Sequence, residues 1–169
     1  SHLHAISVEK FPLSKADLIR ALNVWSELKP NPDQLIAQYP HSIAGCHRLS
    51  FPEERFSLDL WLGDAHDVFP SMAKTSSVNA WFLDGFAPAC NPDIWEEQVL
   101  NHIVRLSGIG TTFSSFSVAG VLKRGLTQHG ISISRPRGYK HKREMLKAIW
   151  LAAEPENISN AVDTNSILN

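Results

Sequence analysis

The chain has 169 residues, 43% of them hydrophobic and 20% charged, with a formal net charge of −1. That balance describes one globular domain able to bury a core and excludes disordered and fibrous classes. No apolar run approaches the roughly 18 to 20 residues of a membrane span and no basic-then-apolar leader opens the chain, so the expected setting is the cytoplasm.

Leu3 to Val8 reads as a short apolar strand ending at Glu9-Lys10. Past Pro12, Ser14-Lys-Ala-Asp17 is a capping pattern and predicts a helix to about Leu22. Pro30-Asn-Pro32 breaks the chain, and Asp33 is expected to cap a short helix holding Leu35, Ile36 and Tyr39. Ile43 to Phe51 and Phe56 to Leu62 form a predicted hairpin around Pro52-Glu-Glu-Arg55. In its second strand Phe56, Leu58, Leu60 and Leu62 alternate with Ser57, Asp59 and Trp61. That strand stops at Gly63-Asp64, and a helix follows with Val68, Phe69 and Met72 on one face.

Ala80-Trp81-Phe82-Leu83 has no polar alternation and reads as a short buried strand that stops at Asp84-Gly85. After a Pro-rich loop, Asp93 is expected to cap a helix with Ile94, Val99, Ile103 and Leu106 as its apolar stripe. Thr111 to Phe116 is a strand, and Val118 to His129 a helix with Val121, Leu122 and Leu126 inward, closed by Gly130. Ile131 to Arg135 and Arg143 to Trp150 form a last hairpin. Residues 1–153 are read as one domain and 154–169, rich in Asn, Ser and acids, as a linker or disordered tail.

Charge is spread unevenly. Residues 1–97 hold 7 Lys+Arg against 13 Asp+Glu, and residues 98–153 hold 9 against the single Glu144. Arg135, Arg137, Lys140, Lys142, Arg143 and Lys147, with Lys123 and Arg124 on the helix before them, suit a polyanion. A solvated charged face is the plainer account of the same residues.

Three strands in succession end in an acid, at Glu9, Asp64 and Asp84. Parallel strands would bring all three to one sheet edge, where open α/β sheets bind ligands. Carboxylates so placed suit a nucleoside, since they accept from ribose hydroxyls and from an exocyclic amine. Mg²⁺ is the competing ligand, but no Asp-x-Asp companion supports it. Asp before Gly also caps turns, which is the structural account of Asp84. Cys46 and Cys90 stand alone, with neither a CxxC pair nor a histidine at ligand spacing, so no metal and no disulfide framework is expected.

The stretch Trp81 to Trp95, Ala119-Gly-Val-Leu-Lys-Arg-Gly-Leu126 and Gly138-Tyr-Lys-His-Lys-Arg-Glu-Met-Leu146 resemble the methyltransferase domain of the bifunctional enzymes that make 5-methylaminomethyl-2-thiouridine in tRNA. Glu9-Lys-Phe-Pro-Leu13 and Gly45-Cys-His-Arg-Leu49 agree, so the resemblance runs from about Leu3 to Ala148. It implies a Rossmann-like class I methyltransferase sheet with a carboxyl-terminal antiparallel hairpin. S-adenosylmethionine is then the methyl donor and the aminomethyl group of a wobble uridine the acceptor. By the same resemblance Glu9 lies at the ribose, Asp64 and Ala65 at the adenine, and Asp84, Gly85, Phe86 and Pro88 at the methionine end, with Lys10 also among the donor-binding residues and Asp84 catalytic. Lys123, Arg124, Arg137, Lys140, Lys142 and Arg143 would meet RNA phosphates. Phe86 and Trp95 are candidate stacking surfaces for an extruded base, or ordinary core aromatics.

The chain departs from that family in three places. It holds no GxGxG and opens on what corresponds to the family's second strand, so a piece of a longer protein is expected. The central sheet position between the strands ending at Glu9 and Asp84 would be vacant. Cys90 stands where the family tends to have Lys, and Ser107-Gly-Ile-Gly-Thr111 where it has a Pro-Gly-Gly turn. The family's flavin-dependent oxidoreductase half, and FAD with it, would lie in a separate domain. A non-catalytic tRNA-binding remnant and a small-molecule methyltransferase are the alternative functions.

Overall fold

The computed structural model describes residues 1–28, 31–73, 77–83, 97–116, 120–136 and 145–152. The first strand, β1 (Leu3–Glu9), leads into α1 (Lys15–Asn23), a single 3₁₀ turn over Ser26–Leu28, and α2 (Asn31–Gln38). Ser14 caps α1 as its sequence dictates: Ser14 Oγ accepts from Asp17 N at 3.1 Å and donates to the Asp17 carboxylate at 2.6 Å. Asp33 was expected as a cap but sits in the first turn of α2, because Pro32 is tolerated there and lets the helix start at Asn31.

Two strands follow, β2 (Gly45–Phe51) and β3 (Phe56–Leu62), as an antiparallel hairpin, and β1 pairs in parallel with β3. The sheet order is β1-β3-β2. Leu49, Phe51, Leu60 and Leu62 form a small core on one face, with Leu35 and Tyr39 of the α2 region against it. The opposite face of β3 is also largely covered. Asp59 is only 7% exposed there, and Trp61 packs into the larger core.

Next come α3 (Ala65–Ser71), β4 (Ala80–Phe82), α4 (Glu97–Leu106), β5 (Thr112–Ser115), α5 (Gly120–Gln128), β6 (Ser132–Ser134) and β7 (Leu146–Ile149). Their sheet has the order β4-β5-β7-β6, parallel at β4-β5 and antiparallel from β5 onward, which is the expected carboxyl-terminal hairpin. Phe113, Leu146 and Ala148 pack against Val99, Leu100, Ile103 and Leu106 of α4, Leu122 and Leu126 of α5, and Val68 and Phe69 of α3. Gly130, at φ +72, ends α5 in a Schellman turn: its N–H meets Thr127 O at 2.9 Å, and Ile131 N meets Leu126 O at 3.2 Å.

Two expectations of burial fail, each through the periodicity of its own element. Phe82 was read as part of a buried strand but is 82% exposed, because period two turns it to the face opposite Trp81 and the buried Leu83. Val121, expected inward, is 45% exposed because only Leu122 and Leu126, four apart, share the inner face of α5. The proposed capping by Asp93, the inward Ile94, and the tail at 154–169 lie outside the described residues.

The described strands therefore make two sheets rather than one continuous ladder. The break falls between β1 and β4, the strands that run to Glu9 and toward Asp84, where the sequence left the central position vacant. Val8 and Trp61 of the first sheet pack into the same cluster as Trp81 and Phe113 of the second, so one core serves both.

Candidate functional site

Parallel pairing of β1 with β3 brings two of the three acid-bearing strand ends together. Glu9 lies level with Leu62, and its carbonyl accepts from Gly63 N at 3.0 Å, so the chain leaves both strands from one point. Glu9 is exposed; Ser7 Oγ donates to its Oε1 at 3.4 Å. Asp64 is the N-cap of α3 and accepts from His66 N at 2.9 Å. The same oxygen meets His66 Nδ1 at 2.8 Å, and Lys10 Nζ lies 2.6 Å from the other carboxylate oxygen. The Lys10 ammonium, reinforced by the His66 N–H groups, holds the Asp64 carboxyl well below the usual carboxylate range. Ala65 follows as the first residue of α3, half-buried against the large core. Arg105 of α4 fixes the other end of α3, donating from Nη2 to Phe69 O at 2.8 Å and Met72 O at 3.1 Å.

Asp84, Gly85, Phe86, Pro88 and Trp95 lie outside the described residues, but the strand that delivers them is anchored up to its last turn. Leu83 N donates to Ser114 O at 2.8 Å, and Leu83 O accepts from Ser115 Oγ at 2.7 Å. Trp81 Nε1 donates to Ser107 Oγ at 2.8 Å, and Ser107 Oγ in turn donates to Ile103 O at 2.7 Å. Ser107 is therefore the side chain that gives the half-buried Trp81 indole beside α4 its hydrogen bond. Its role was not visible in the Ser107-Gly turn of the sequence.

Of the basic residues, Arg137, Lys140, Lys142 and Arg143 lie outside the described residues. Lys123 is half-buried and Arg124 exposed on α5, where Arg124 lines a shallow groove with Glu97, Asn101 and His129. Lys147 is exposed between the buried Leu146 and Ala148, so it faces away from α5 across the sheet. It borders an open depression with Phe82, Ser114 and Met145. The described basic residues thus lie on both sides of the second sheet.

Sequence reasoning missed a second charged cluster. On the face of the first sheet opposite its small core, Arg48 grips Asp59 with Nε and Nη2, each at 2.6 Å, while His4 Nε2 lies 3.0 Å from Asp59. The Arg48 guanidinium lowers the Asp59 pKa, against the effect of burial. Register predicts this network once the strands are paired, because Arg48 lies directly opposite Asp59.

As for a nucleoside donor, the chemistry at the β1-β3 edge fits one. An exposed carboxylate at Glu9 can accept from hydroxyls, and an ionised carboxylate at Asp64 can accept only from N–H or O–H groups. Among the described residues no three His, Cys, Asp or Glu side chains gather as a metal site, and no helix is long and apolar enough to cross a membrane.

Residues 26–150 match the model of a family described as S-adenosyl-L-methionine-dependent methyltransferases. The chain is 77% identical over 150 residues to the tRNA 5-methylaminomethyl-2-thiouridine biosynthesis bifunctional protein MnmC of Acinetobacter baylyi, covering 89% of this chain and 24% of that protein. It is 46% identical over 160 residues to the protein of the same name from Pseudoalteromonas atlantica, covering 94% of this chain and 23% of that one. The chain thus spans about a quarter of the length of these curated relatives. Among solved structures, MNMC2 from Aquifex aeolicus superposes with a TM-score of 0.66 at 22% identity, over 89% of this chain and 44% of that one, which shows a shared fold.

Proposed function

This chain belongs to the S-adenosyl-L-methionine-dependent methyltransferase family, and from that premise we propose that its acceptor is the aminomethyl nitrogen of 5-aminomethyl-2-thiouridine at the tRNA wobble position. The product would be 5-methylaminomethyl-2-thiouridine. The observation that carries this reading is the 77% identity over 150 residues to a protein named for that biosynthesis. In the same reading the protein is cytoplasmic, and a flavin-dependent oxidoreductase domain with its FAD lies elsewhere in the full-length protein.

When bound, the donor supplies a methyl group on a positively charged sulfur. Glu9 then accepts from the ribose hydroxyls, and Asp64 with Ala65 meets the adenine. By the family resemblance Asp84, with Gly85, Phe86 and Pro88, would hold the methionine end, where methyl and amine meet. The amine must attack as a neutral nitrogen, so the Asp84 carboxylate orients its N–H and takes the proton released on transfer. Positioning supplies the rest of the rate. Lys123, Arg124, Arg137, Lys140, Lys142 and Arg143 supply phosphate contacts, which makes tRNA binding weaken steeply with salt.

The test uses the protein as its own gene encodes it, S-adenosylmethionine with a labelled methyl group, and tRNA from cells lacking the final modification. The expected result is one labelled methyl group on the wobble uridine, with a rate reduced about a hundredfold or more in Asp84→Ala. Label transfer unaffected by that substitution removes Asp84 from the chemistry. tRNA retained in a salt-sensitive way without methyl transfer would leave an RNA-binding role alone. Transfer to a free amine that tRNA does not inhibit would point to a small-molecule methyltransferase.

A further inference from the structure

Asp64 is held more tightly than a helix cap requires. Its Oδ1 takes two N–H groups of His66, one from the backbone at 2.9 Å and one from the ring at 2.8 Å, and Lys10 Nζ sits 2.6 Å from Oδ2. An ionised carboxylate only accepts, so the imidazole proton must reside on Nδ1. A carboxylate has about four acceptor lobes, and these contacts use three, leaving one lobe on Oδ2. Lys10 and Asp64 are tied to one junction through the 3.0 Å bond from Gly63 N to Glu9 O. The carboxylate therefore cannot turn without breaking contacts on both of its oxygens.

We propose that Lys10 and His66 are positioning residues that hold Asp64 as an oriented acceptor with one open lobe. They thereby set the site's preference for a donor whose purine carries an amino group over one whose purine carries a carbonyl. The inference rests on the donor site proposed above and deepens it. An adenine amine presents a hydrogen to the open lobe. The exocyclic carbonyl oxygen of hypoxanthine, in the place of that amine, presents a second acceptor, and two acceptors facing each other repel. A carboxylate free to rotate or to take a proton would discriminate less, because a protonated carboxyl can donate to the carbonyl.

The experiment is calorimetric titration of the protein, as its own gene encodes it, with S-adenosylhomocysteine and S-inosylhomocysteine. Neither carries a transferable methyl group, so binding alone is read. Wild type is expected to prefer the adenosyl compound by about tenfold or more, the scale of one hydrogen bond to a charged group. Lys10→Met and His66→Phe are each expected to cut that preference severalfold, while Lys10→Arg keeps most of it. The ratio is taken within one variant, so a fall in folded fraction affects both compounds equally. A ratio unchanged in both Lys10→Met and His66→Phe, with binding retained, overturns the inference alone. Wild type that binds neither compound overturns the proposed donor site together with it.

Discussion

The second sheet, β4-β5-β7-β6, puts one face to the core, where Phe113, Leu146 and Ala148 meet three helices with 3% exposure or less. The first, β1-β3-β2, buries Leu49, Phe51, Leu60 and Leu62 in a much smaller cluster, and its other face carries Arg48, Asp59 and His4. Apolar burial scales with area, so the second sheet is the mechanical base of the molecule. In the first, cross-strand charge pairing adds to a smaller core and to the packing of Val8 and Trp61 against the larger one. The candidate donor wall is built on that less buried half, at the ends of β1 and β3, where backbone atoms and polar side chains stay open to a ligand.

The largest expected effect is in the second sheet. Phe113→Ala removes a ring that is 1% exposed and should cost about 3 to 5 kcal/mol, enough to shift a denaturant midpoint far to the left. A loss no larger than that of a surface substitution would show that the second sheet is not the base of the fold.

The next effect tests the charge pairing. Asp59→Asn should cost about 2 kcal/mol, less than a fully buried pair because Arg48 is 63% exposed. Its pH dependence follows from the direction of the shift. The folded-state pKa of Asp59 is lowered, first by the Arg48 hydrogen bonds, so its stabilisation is complete above the unfolded carboxyl value of about 3.9. It is lost as pH falls through the lower folded value. Thermal melts from pH 6 to pH 2 should therefore show a shallower acid limb in Asp59→Asn than in wild type. Parallel acid limbs would mean that the network adds nothing.

The smallest effect lies outside both cores. Ser14→Ala removes the cap of α1 and should cost about 1 kcal/mol, read as a small fall in melting temperature. No buried residue is found on α1, so an effect as large as that of Phe113→Ala would contradict the ranking.

Local signals carried much of this fold. The strand Phe56–Leu62 was legible to the residue because alternation and a Pro-containing turn bound it on one side and Gly63 on the other. The Ser14 cap and the Gly130 terminus were legible because each rests on one side chain or one positive φ within a few residues. The positions of Glu9 and Asp64 were legible because Glu9 ends one strand and Asp64 follows another in sequence.

Which of those acids share an edge was decided by pairing. Parallel register between β1 and β3 puts Glu9, Lys10 and Asp64 together, and a side chain two residues on, His66, completes the cluster. The burial of Asp59 and the exposure of Phe82 came from the same source. Alternation names two faces of a strand, but only the packing of helices and neighbouring strands decides which face is covered, and by what. The sequence by itself determined the order of the strands and helices and those limits that rest on local backbone chemistry, such as the Ser14 cap, the strand Phe56–Leu62 and the Gly130 terminus. The tertiary structure decided the split into two sheets, the partners of Asp64 and the sides on which the basic residues lie, because those depend on contacts between residues far apart in the chain.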